Sequence, residues 1–146
     1  MTIVGVLEAV TVVSASVFAL WALYISLVEH PARMSIRASA ALAEFRESYR
    51  RAAPWQVTTA ALAFVVGLVT SFVTRDWVWA LGGAATGAAI PFTLLVIMPT
   101  NHRLLNSTPP EGEITRLLAR WGRLHWVRSL LGLAGVVILW SRLRIG

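Results

Sequence analysis

The chain has 146 residues, 57% of them hydrophobic and only 14% charged, with a mean hydropathy of +0.68. Soluble domains are nearer half apolar and a quarter charged, so the composition points to a membrane protein of a length that suits one domain. Cysteine is absent, which excludes disulfides, thiolate catalysis and Cys-ligated zinc; all 13 basic residues are arginine, which excludes Schiff-base chemistry on lysine. The net charge of +6 is better explained by membrane topology than by nucleic acid, which is not an expected partner.

Four apolar segments follow one another, each near the roughly 20 residues that cross a bilayer as a helix. The first covers 4–28 and is interrupted only by Glu8, whose carboxylate suits the positive end of a helix dipole. It lacks a basic leader and is too long for a signal-peptide core, so it reads as a retained span closed by Pro31. The stretch "ARMSIRASAALAEFRESYRRAA" reads next as an amphipathic interfacial helix, with Ala, Leu and Phe on one side and Arg and Glu on the other. Pro54 sits where a second span, 55–73, is expected to begin. Arg75 and Asp76 read as an ordinary loop pair before a third span, 77–98, whose "LGGAATGAA" would let it pack closely on a neighbour. A turn at Pro109, Pro110 and Gly112 leads into a helix that runs into a fourth span, 125–141, with a second close-packing stretch, "GLAG".

These segments predict an all-α membrane protein: a single domain over 1–146 built as a four-transmembrane-helix bundle, with an amphipathic interfacial helix in the first cytoplasmic loop. Trp55, Trp77, Trp79, Trp126 and Trp140 lie near span ends, as an aromatic belt requires. The first loop holds Arg33, Arg37, Arg46, Arg50 and Arg51 and the third holds Arg103, Arg116, Arg120 and Arg123, against Arg75 alone in the second. The positive-inside rule therefore places both long loops in the cytoplasm and both termini outside, with Arg142 and Arg144 weighing against this without reversing it.

Polar chemistry gathers at three helix ends that a four-helix bundle would bring to one face. They are "EHPAR" with Glu29, His30 and Arg33; "MPTNHRLL" with Thr100, Asn101, His102 and Arg103; and "WGRLHWVR". Trp121, His125 and Arg128 are spaced i, i+4, i+7 and line one helical face. The purely apolar run 129–140 has about twelve residues, too few to cross a bilayer, so the span must recruit Trp126, Arg128 and His125. An ionisable group so placed faces the bundle interior and marks a functional site, with Glu29 and Asn101 as the expected partners of Arg128. The bland reading of each is a snorkelling arginine or an interfacial histidine, and it weighs most for His102 and Arg103. Imidazole and carboxylate also suit iron, copper or zinc, which would make His30, His102 and His125 ligands. No two histidines have the i, i+4 spacing of a helical pair, however, and no cofactor is predicted.

The Pro-x-Asn-x-x-Leu pattern of Pro99, Asn101 and Leu104, followed by the Trp-x-x-x-His-x-x-Arg pattern of Trp121, His125 and Arg128, resembles the anthrone oxygenase-like family of four-span membrane proteins. The His30–Pro31 pair closing the first span is similar too, and the likeness covers essentially the whole chain. The resemblance implies the four-span fold and a cofactor-independent monooxygenase of polyketide biosynthesis, converting an anthrone to an anthraquinone with O2. Anthrone chemistry needs a base of pKa near working pH and donors for an enolate oxygen. His125 is then the base, Arg128 and Asn101 hold the oxyanion, and His30 or Glu29 assists. Trp121 stacks on a flat substrate, with Tyr49 and Arg103 as further substrate contacts. The expected partners are a lipophilic small molecule, O2 and the lipid bilayer of a bacterial inner membrane, with a homo-oligomer left open. Two other readings stand beside this one. The polar cluster could instead staple helix ends in a non-catalytic accessory protein. A transporter or channel subunit is disfavoured, because the middles of the spans lack ionisable residues.

Overall fold

The computed structural model describes residues 2–143, so Met1 and the segment 144–146, with Arg144, lie outside the described residues. It contains four long helices: α1 (Ile3–Met34), α2 (Ala38–Thr74), α3 (Trp77–Asn106) and α4 (Glu111–Leu143). All four are long and apolar enough to cross a membrane. Each packs on its neighbours in sequence and α4 closes back on α1, giving an up-down-up-down ring. The C-terminal ends of α1 and α3 therefore share one end of the bundle with the N-terminal ends of α2 and α4.

Prolines shape these helices without ending them. A proline inside a helix removes one hydrogen bond and presses its ring on the carbonyl four residues back. For Pro31 and Pro99 those carbonyls belong to Leu27 and Leu95, and both lie in widened π-helical turns, Ile25–Glu29 and Thr93–Ile97. The wider turn absorbs the clash, so α1 continues past Pro31 to Met34. Pro54 likewise lies inside α2 rather than at its start. The amphipathic segment and the second span are thus one continuous helix. The apolar face of that segment, with Ala41, Leu42 and Phe45, is buried against Leu104, Ile114, Leu118 and Trp121. It meets α4 because α4 begins far outside the apolar run and brings a matching apolar face.

At the opposite end the small residues work as the sequence suggested. A Cβ on Gly83 would strike the Ala63 carbonyl, and one on Gly82 would strike Leu139, so backbones approach where side chains are missing. Trp79 departs from the belt expected of it. It is 2% exposed and packs with Val12, Ala15, Ala63 and Leu139, whereas Trp55, Trp77, Trp126 and Trp140 are exposed. Arg75 and Asp76 do not pair with each other. Arg75 ends α2 in the left-handed region at φ 56°; the Asp76 carboxylate accepts from the Val78 N–H, capping α3, and pairs with Arg142.

Candidate active site

Trp121, His125, Arg128 and Ser129 on α4 turn into the bundle and are buried. The i, i+4, i+7 spacing places the first three on one face, and neighbouring helices supply a partner for each. Trp121 donates its indole N–H to Asn101 Oδ1 at 2.9 Å. Asn101, fully buried on α3, donates in turn to the Tyr49 hydroxyl at 2.9 Å. The His125 ring stacks on Trp121 with centroids 4.7 Å apart, and its Nδ1 lies 3.0 Å from Ser26 Oγ. Arg128 donates to Gln56 Oε1 at 2.6 Å, and its guanidinium carbon lies 5.8 Å from the Phe18 ring centroid.

A second buried guanidinium pins the mouth of this region. Arg33 pairs with Glu29 and Glu44, bonds Ser48 Oγ at 2.9 Å, and stands over Phe45 and Trp121. Its ion pairs are what make burial of the charge tolerable. Phe45 meets Trp121 edge-on at 5.1 Å, and His30 packs against Trp121 at a tilt, with ring centroids 5.5 Å apart. That packing depends on Gly122, because a Cβ there would collide with His30 Nε2.

Between α1, α2 and α4 these residues leave a narrow cleft of about 20 Å³ lined by Glu29, Tyr49, Gln56, Trp121, His125 and Arg128. It adjoins an apolar pocket of about 80 Å³ walled by Phe18, Val57, Ala60, Ala89, Ile90 and Leu94. The two share Tyr49, Ala53, Gln56 and Arg128. Three buried polar atoms of the cleft-lining residues have no hydrogen-bond partner among the described residues: His125 Nε2, Gln56 Nε2 and Arg128 Nε. Buried polar atoms are nearly always bonded, so three unpaired ones at one cleft mark a place where water or a ligand's polar atoms bind.

The structure therefore gathers His125, Arg128, Asn101, His30, Glu29, Trp121 and Tyr49 at one end of the bundle, but not in every expected pairing. The partner of Arg128 is Gln56, not Glu29 or Asn101, because Glu29 is engaged by Arg33. The Asn101 amide is engaged at its oxygen by Trp121 and at its nitrogen by Tyr49, so it positions these rings, and it does not line the cleft. Arg103 does not line the cleft or the adjoining pocket. It is exposed and pairs with Glu113 across the turn between α3 and α4. His102 is also exposed, 3.2 Å from Asn106 Nδ2 one turn on. It points away from His30 and His125, so the three histidines considered as metal ligands do not converge. Among the described residues no group of three His, Cys, Asp or Glu side chains could share an ion.

Gln56, Ser26 and Ser129 were not anticipated. The lone amide two residues into an apolar segment was the available signal for Gln56. Serines in apolar helices usually bond their own helix, so Ser26 and Ser129 gave none.

A family model for anthrone oxygenase matches residues 45–138, the stretch that carries every cleft residue of α2 and α4. The chain belongs to the anthrone oxygenase family. Three curated relatives are similar in sequence. Anthrone oxygenase tpcL of Aspergillus fumigatus is 43% identical over 63 residues, 40% of this chain and 39% of that one. Anthrone oxygenase ptaC of Pestalotiopsis fici is 40% identical over 76 residues, 44% and 54% of the two chains. Anthrone oxygenase AgnL2 of Paecilomyces divaricatus is 38% identical over 71 residues, 42% and 43%. The matched stretches span about half the length of these relatives or less. No solved structure matches.

Proposed function

We propose that this chain is a membrane-embedded oxygenase that converts a flat, lipophilic anthrone-type polyketide to the corresponding anthraquinone with O2 and no cofactor. The observation that carries the reading is the set of unpaired buried atoms at the cleft, one ring nitrogen and two donors, beside an apolar pocket. The names of the relatives supply the substrate class. The reading also places the chain in a bilayer with the cleft at the cytoplasmic end, where the arginine-rich loops lie.

In this mechanism the rings of the substrate lie along Trp121 and its apolar edge extends toward Phe18, Ala60 and Leu94. His125 Nε2 removes a proton from the methylene opposite the carbonyl, and the negative charge moves onto the carbonyl oxygen as an enolate. Arg128 Nε, Gln56 Nε2 and the Tyr49 hydroxyl donate to that oxygen. The electron-rich anion passes one electron to O2, and the resulting radical and superoxide combine into a carbon-bound peroxide. The proton on His125 returns to the peroxide. Loss of the remaining C–H proton with cleavage of the O–O bond then forms the second carbonyl and releases water. One anthrone and one O2 give one quinone and one water, so no external reductant is needed.

The test is an oxygen-electrode assay on the purified full chain in detergent, with anthrone as substrate and metal content measured in parallel. The expected result is equimolar consumption of anthrone and O2, independent of chelator. Uptake no faster than the spontaneous oxidation of anthrone would refute the catalytic reading and leave a binding protein. Stoichiometric metal would replace the cofactor-independent mechanism.

A further inference from the structure

We infer that Ser26 and Ser129 form a hydrogen-bond chain that sets the tautomer and orientation of His125, making both serines positioning residues. The inference rests on the reading of His125 as the base. It starts from the fact that these two hydroxyls bond across to a neighbouring helix in preference to a carbonyl of their own. Thr11, Thr58, Thr70, Thr74, Thr86 and Thr93 each donate to the carbonyl four residues back in their own helix, the usual fate of such groups. Ser26 sits in the widened turn Ile25–Glu29 and bonds across to α4 instead. Ser129 lies 3.0 Å from the Ala22 carbonyl of α1, closer than the 3.4 Å to the carbonyl of His125 in its own helix.

The atoms run in one line: His125 Nδ1, Ser26 Oγ at 3.0 Å, Ser129 Oγ a further 2.9 Å on, and the Ala22 carbonyl at 3.0 Å from that. A hydroxyl has one hydrogen, and a carbonyl only accepts. If Nδ1 carries the ring proton, it donates to Ser26, Ser26 donates to Ser129, and Ser129 donates to Ala22, which makes three bonds. If Nε2 carries it, Nδ1 must accept from Ser26, which must accept from Ser129, and the Ala22 carbonyl keeps the Ile25 N–H but loses the Ser129 donor, leaving two bonds in the line instead of three. Any mixed arrangement sets two oxygens, or an oxygen and a bare nitrogen, face to face with no hydrogen between them. All three side chains are buried, so water does not compensate the lost bond. The chain therefore holds the proton on Nδ1 and turns the bare lone pair of Nε2 toward the cleft.

The line ends on a carbonyl, which has no proton to pass on. It orients the base and does not export its proton. A proton taken up at Nε2 must leave by the same face, which is the face where the peroxide forms. Once Nε2 is protonated, the Nδ1–H bond to Ser26 persists, so the ring need not reorganise during turnover.

The test is the full chain labelled with [15N]histidine, in which two-bond nitrogen–proton correlations report the tautomer of each ring. His125 is assigned by the signals that disappear in His125→Gln. The expected result is an Nδ1–H tautomer for His125 in the wild type, lost in Ser26→Ala, with kcat on anthrone lowered on the order of tenfold out of the 10²–10⁴ typical of a positioned base and KM little changed. An Nε2–H tautomer in the wild type would overturn the inference without any variant, and so would a tautomer unmoved in folded Ser26→Ala. Ser129→Ala serves as the second variant should Ser26→Ala not fold. Normal turnover by folded His125→Gln would sink the base reading alone, because the wild-type tautomer is read independently of catalysis.

Discussion

His125→Gln separates the chemistry of the site from its packing. The ring is 1% exposed, stacked on Trp121 at 4.7 Å and bonded to Ser26. A glutamine amide can still donate to Ser26 but cannot stack as a ring, and it has no basic nitrogen. The lost stack is worth about 0.5–1.5 kcal/mol, which at about 2–4 °C per kcal/mol for a chain of this size lowers the melting temperature by a few degrees. Removing a general base costs about 10²–10⁴ in rate, or about 2.7–5.4 kcal/mol of barrier. The activity loss should therefore exceed what unfolding explains by a wide margin. Oxygen uptake on anthrone and a circular-dichroism melt on the same preparation measure both quantities. A folded variant with near-wild-type turnover would refute the assignment of His125 as the base. An activity loss that simply tracked the folded fraction would show a structural role only.

Gln56→Leu removes the acceptor of Arg128 and leaves a buried guanidinium without that bond. A hydrogen bond to a charged group is worth about 1.5–3 kcal/mol, so a lower melting temperature and a raised KM for anthrone are expected; a variant unchanged in both would mean that Gln56 does not hold Arg128. Gly122→Ala places a methyl where His30 Nε2 now lies. Displacement of His30 and Trp121 should reduce turnover and quinone binding with helix content retained, and normal kinetics would show that the contact relaxes at no cost. Arg103→Ala breaks only an exposed pair with Glu113, worth roughly 0.2–1 kcal/mol. Unchanged kcat and KM are expected, and a large loss of activity would return Arg103 to the site.

Composition and spacing alone determined the helical class, the four apolar segments and the face shared by Trp121, His125 and Arg128. These are properties of single segments: how long an apolar run is, and which residues recur at helical period. The paired motifs at 99–104 and 121–128 also carried the family. Without His125 and Arg128 the fourth span is too short to cross a bilayer, which turns both side chains inward, and both are buried.

Only the tertiary structure decided who meets whom. Glu29 satisfies the charge rule for Arg128 as well as any residue, but Arg33 lies one helical turn away and takes it. The neutral Gln56, from a segment that reads as plain lipid-facing helix, bonds Arg128 instead. Arg103 and His102 neighbour Asn101 in sequence, yet the helix turns them outward while Asn101 points in. Pro31, which reads as the end of the first span, lies within a continuous helix, because a widened turn before it removes the clash, and Pro54, which reads as the start of the second, lies inside α2. The partners of Ser26 and Ser129 lie about a hundred residues away along the chain, and no local pattern encodes a pairing that exists only once α4 has packed against α1.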